Sequence, residues 1–258
     1  MSYRNDLEFR NGRIRPRTDA NAQKELPEFR VPEKVHPGFI ESVMNDAKLE
    51  DDTTLKATRD VLATWRASFE GLNKVRSTQD PAVTQAAHLQ SLAKHTDAAL
   101  ARVSQQYDRA NAGLRIRREA LEVEATERLG LTSRGQSAES EIRSALRSMT
   151  DEQRQKAIGD AIQRGDGEVI HAIRNASPLV SGVSAENQGT IIRRAMLAHA
   201  PDVLTKQEAI ETAQTRLGDA YIAALECSDD LKASSVAAEY RQGSEKAAQA
   251  RAAFEAQQ

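Results

Sequence analysis

Aromatic residues make up only 4% of the 258 residues, while 41 are alanine. A chain of this length that balls up hides roughly 70–75% of its unfolded surface, but small side chains fill so large a core poorly. An elongated, helical architecture is therefore expected in place of one thick globule. The single cysteine, Cys227, excludes an internal disulfide and a cysteine-based zinc site. No apolar run approaches the ~20 residues that span a bilayer, and Met1 to Arg10 is too polar for a signal peptide. These point away from membranes and toward a cytoplasmic setting. A formal net charge of -2 gives no global attraction to nucleic acid. There is no GxxxxGK[ST], HExxH or GxSxG, and no strand followed by GxGxxG, so phosphate cradling, zinc hydrolysis and serine-ester chemistry have no visible frame.

Proline is present but unevenly placed. Pro16, Pro27, Pro32 and Pro37 crowd the first 37 residues, whereas 82–177 and 202–258 contain none. Regular helices can run in those stretches and not at the start. Residues 1–37 thus read as an extended arm. Within it, Asn11-Gly12 suits the two-residue turn of a hairpin, pairing Phe9 with Ile14 and Glu8 with Arg15. An isolated hairpin is marginal in water, so it needs its own body or a neighbouring subunit to lean on. Arg10, Arg13, Arg15 and Arg17 have no acid among them, a cluster able to touch phosphates or an acidic partner, or simply to decorate a solvated hairpin edge.

Residues 38–131 read as a long helical hairpin. A short helix (39–48) precedes one over 52–74, in which Leu55, Leu62, Trp65, Phe69 and Leu72 fall along one stripe. Asp80 and Pro81 suggest the cap and first residue of a helix reaching 129. Along it Ala93, Leu100, Tyr107, Leu114 and Leu121 recur every seven residues, with Leu89, Thr96, Val103 and Ala110 in the complementary seam. The 52–74 helix covers only about half of this length when folded back on it. The other end needs another helix or another copy. Arg115 and Glu119, like Arg118 and Glu122, stand four apart as a solvated ion-pair face.

Gly130 and Thr132 to Ser137 interrupt the pattern, and 136–200 reads as a module of short helices. Expected are helices over 139–148, 151–164, 167–175 and 185–199. Thr150 and Gln153 form a capping box, Gly165 a stop and Asp166 the next cap. From 201 to 258 come a long helix (202–226) and an alanine-rich tail that favours helix by propensity but buries little.

Of the five histidines, His88 and His95 stand seven apart, with Ser91 and Leu92 where a metal ligand four residues on would sit. His171 lies among apolar neighbours and reads as a packing residue. No catalytic, cofactor-binding or metal-binding residue is assigned, and the chain is expected to be non-enzymatic. The Arg164-Gly165-Asp166 tripeptide reads as a helix end and cap, and Asn175-Ala176-Ser177 has no meaning as a glycosylation site without secretion.

The segments Glu141 to Arg147, Thr150 to Arg154, Gly165 to Ile173 and Ser177 to Gly182 resemble a stretch of small helical proteins encoded by tailed bacteriophages and prophages. The resemblance covers about 45 residues and carries over no functional residue. It implies a virion or assembly protein that binds copies of itself and a head, portal or internal-core partner, located in the particle or in the host cytoplasm during assembly. Leu100, Tyr107, Leu114, Leu121, Phe9 and Ile14 are the expected contact residues, with Arg10, Arg13, Arg15 and Arg17 beside them. A scaffolding protein that leaves before maturation, or a regulator binding nucleic acid or a host protein through the arm, are the other readings left open.

Overall fold

The computed structural model describes residues 7–10, 13–16, 24–131, 135–181 and 183–255, with the backbone alone at 7–10, 13–16 and 178–179. The chain is all-α in class. The helices are α1 (Gly38–Ala47), α2 (Thr53–Ser77), α3 (Gln85–Arg128), α4 (Gln136–Ser148), α5 (Asp151–Arg164) and α6 (Gly167–Arg174), then α7 (Pro178–Ser181), α8 (Ala185–His199), α9 (Pro201–Glu226), α10 (Ser228–Leu231) and α11 (Ser234–Glu255). In the arm, the backbone of β1 (Leu7–Arg10) runs antiparallel to β2 (Arg13–Pro16), with Phe9 opposite Ile14 and Glu8 opposite Arg15. The turn between them and any support for the hairpin lie outside the described residues.

Local chemistry sets most helix ends. Asp52 accepts from the amides of Thr54 (2.9 Å) and Leu55 (3.1 Å), capping α2. The capping box at α5 is complete, with Thr150 and Gln153 each accepting from the other's backbone amide. Gly165 ends α5 with φ 69°, and Asp166 caps α6 through the amide of Val169. The start of α3 differs from the expectation at Asp80-Pro81. Asp80 spends its carboxylate on the amide of Ala82 (2.8 Å) and its carbonyl on Val83 (3.0 Å), closing a separate turn. Thr84 then caps α3 by accepting from Ala87.

In space the chain divides into two units: Met1–Val31, Ala67–Ala101 and Ala224–Gln258 in the first, Pro32–Arg66 and Arg102–Ala223 in the second. The division passes through α2, α3 and α9.

In the second unit, α2 and α9 both run antiparallel to α3. Trp65 donates its indole N–H to Gln106 at 2.8 Å, and Arg117 reaches Asp52 at 3.2 Å. From α9, Tyr221 meets Ser104 at 3.1 Å, Gln214 donates to Asn111 at 2.9 Å, and Asp202 pairs with Arg128 at 3.2 Å. Val203, Ile210 and Leu217 of α9 recur every seven residues, with Ala213 and Ala220 in the complementary positions, and all five are buried. The short helices pack on one another, α6 touching α4, α5 and α8. Gly167 opens α6 against the carbonyls of Leu129 and Gly130, so close that a Cβ there would stand 2.1 Å from the Gly130 oxygen. Only glycine fits at this crossing.

In the first unit, an extended strap over 24–31 is held by side chains from α2 and α3. Gln85 accepts from the Lys24 amide (2.7 Å) and donates to the Lys24 carbonyl (2.6 Å). Arg76 donates to the Pro27 carbonyl and Asn73 to that of Phe29, whose ring is buried. Leu89, Leu92, Ala233 and Val236 form a core between α3 and α11, with Leu26, Ala237 and Tyr240 against it.

Candidate docking surfaces

The sequence places its expected contacts on the arm and on α3. The side chains of Phe9, Arg10, Arg13, Ile14 and Arg15, and Arg17 as a whole, lie outside the described residues. On α3 the outcome is specific. Leu114 and Leu121 are fully buried, and Tyr107 is half-buried, its ring stacked on Tyr221 of α9 at 4.2 Å and 10°. Leu100 is also half-buried. The greasy edge expected to stay open at Leu114 and Leu121 is thus closed, because the free end of α3 finds α9 of the same chain as its third helix. Alanines at 213 and 220 let α9 approach closely.

The open apolar positions of this half of α3 are different residues. Ile116 and Val123 are 63% and 59% exposed. They stand two residues after Leu114 and Leu121, about 200° around the helix, and so point away from the seam. Their own seven-residue spacing was the signal available in the sequence. Around them Arg115 and Glu119 form an exposed ion pair at 3.9 Å, as their four-residue spacing suggested. Such a pair contributes little to stability, about 0.5 kcal/mol or less.

The second open surface lies on α11. Every residue from 241 to 255 is exposed, including Phe254 at 62%. Before that point the chain is tied to α3: Lys232, just ahead of α11, pairs with Asp97 at 2.6 Å, and Tyr240 of α11 donates to Gln85 at 2.5 Å. A groove of about 800 Å³ runs beside this contact, floored by Leu89 and Ala237 and edged by Lys232, Tyr240, Arg241 and Ser244. Among the described residues, α11 therefore runs past the end of its own partner helix with no cover on the following turns.

Several charged and polar side chains elsewhere are committed to structure. His171 sits at 3.3 Å from Glu139, which Arg143 also approaches at 3.4 Å, and Asn175 completes the group at 2.9 Å. This polar cluster joins α4 to α6, so His171 links the helices through polar contacts as well as packing. Burial pushes the Cys227 thiol up to about 11, with Asp230 adding to the effect, so near neutral pH it is a protonated packing group and not a nucleophile. Desolvation likewise lowers the pKa of the buried Arg76 guanidinium from its ordinary value, against the opposing pull of Asp230. A cleft between α5 and α8, about 540 Å³, is lined by Asp151, Arg154, Asn187, Thr190 and Arg194. Arg154 is already turned onto the carbonyls of Leu146 (2.8 Å) and Met149 (3.1 Å). Among the described residues no three His, Cys, Asp or Glu side chains gather in a metal-holding group, and no helix is long and apolar enough to cross a membrane.

Comparison of the chain with protein families, with curated proteins and with solved structures finds no match.

Proposed function

We propose that this chain is a non-enzymatic structural or assembly protein of a tailed phage, one that associates with its own copies and docks to head, portal or internal-core proteins. The observation that carries the reading is α11: residues 241–255 form four helical turns with every residue exposed. An isolated helix of ~15 residues is marginal in water, so turns of this kind gain most of their stability from a surface laid against them. The exposed pair Ile116 and Val123 offers a second apolar contact. The resemblance of 141–182 to phage-encoded helical proteins supplies the setting. Mass spectrometry of tailed particles purified from the host that encodes the chain is the test. Its presence at fixed stoichiometry supports the reading, and its absence from every particle form removes it.

A capsid scaffold is the second reading, favoured by the charged surface of the exposed turns, where Arg241, Glu245, Lys246, Arg251 and Glu255 all face solvent. Under that reading the chain is found in particles halted before maturation and is missing from mature ones.

A further inference from the structure

We propose that two copies of the chain pair antiparallel through α11, the free turns of each lying along the free turns of the other and ending at the Arg241 and Ser244 edge of its α3–α11 groove. This rests on the self-associating reading above and names its contact. Lys232, just ahead of α11, pairs with Asp97 and Tyr240 of α11 meets Gln85, so α11 runs antiparallel to α3, which runs out at Gln85 beside Tyr240. α11 continues from 241 to 255, about 22 Å at the helical rise. Ala237, Arg241 and Ser244 edge the groove, and steps of three and four carry the same helix face on through Ala248, Ala252 and Glu255. The groove and the free turns therefore share one continuous face.

Charge then selects the occupant and its direction. Laid antiparallel about Ala248, a second α11 sets Arg241 against Glu255 of the other copy, Ser244 against Ala252, and Ala248 against itself. Two-fold symmetry makes both Arg–Glu contacts at once. A parallel pair would instead oppose Arg241 to Arg241 and Glu255 to Glu255, a repulsive arrangement at each end. Small side chains between the charged ends let the two axes approach. The same register brings the exposed Phe254 of each copy level with Gln242 of the other, near the end of the groove where Thr84 lies.

Sedimentation equilibrium of the full chain across a wide concentration range tests this. The expected mass rises from 28.4 kDa toward twice that value. Arg241→Glu and Glu255→Arg each weaken the dimer about tenfold or more. An equimolar mixture of the two variants restores it, as does the double variant, because the charges again oppose. Circular dichroism confirms that these exposed substitutions leave the helical content unchanged. A dimer indifferent to both substitutions overturns the α11 pairing while self-association stands. A monomer at every concentration overturns both.

Discussion

Beyond Arg102, α3 carries Leu114 and Leu121 seven residues apart, and α9 of the same chain lies along them. Beyond Tyr240, α11 carries Gly243, Ala247, Ala250 and Phe254 at alternating steps of four and three, and these remain exposed. Periodicity is present in both segments. What differs is whether the chain supplies a third helix within reach. Where α9 does so, Ser104, Asn111 and Arg128 of α3 are also engaged, and the seam is sealed by polar contacts along its length. Where α3 stops at Gln85, the α11 seam runs on uncovered. A heptad pattern thus specifies a face that wants covering, and the source of the cover is decided elsewhere in the chain.

The sharpest way to break this comparison is truncation at the sealed site. Leu114→Ala leaves a cavity in the three-helix contact and is expected to cost about 3–4 kcal/mol in chemical denaturation. A loss under about 1 kcal/mol would mean that α9 does not close the seam. Gly167→Ala tests the same unit at its tightest crossing. With a Cβ driven onto the Gly130 carbonyl, about 2–3 kcal/mol should be lost and the melting temperature should fall accordingly. Asp166→Ala removes a cap from α6 and should cost about 1 kcal/mol, read from the denaturant midpoint at unchanged slope. At the open end, Phe254→Ala should change unfolding free energy in dilute solution by less than about 0.5 kcal/mol. A large destabilisation there would show that the exposed turns of α11 are covered within the monomer, and the contrast would fail.

Features written in a few neighbouring residues were legible in the sequence. Thr150 with Gln153, Gly165 and Asp166 act as their types and spacing suggest, because capping chemistry is completed within one turn. Trp65 and Phe69 are buried anchors of α2 for the same local reason: they share a stripe. Asp80-Pro81 misled because an aspartate followed by proline serves a turn as readily as a helix start, and Thr84 competes four residues later. The apolar character of Leu114 and Leu121 was plain, but their cover was not. It comes from α9, roughly a hundred residues on, whose seam alternates Ile210 and Leu217 with alanines and so reads as mild. The same alanine richness hid the end of the α11 contact, since nothing between Tyr240 and Ala247 announces that α3 has run out. Long-range pairing is what a single sequence holds least openly.

Gln85 has a consequence for how the protein comes off the ribosome. One amide side chain clasps Lys24, 61 residues earlier, and meets the hydroxyl of Tyr240, 155 residues later. Lys24 also bonds Glu239, 215 positions away. The clasp on the strap can form early in synthesis, but its outer lock waits until nearly all of these residues have emerged. Contacts of such separation form slowly. Throughout elongation, Leu89 and Leu92 are left without Val236, a sticky interval in which a nascent chain is most open to chaperones and to its neighbours on the same message.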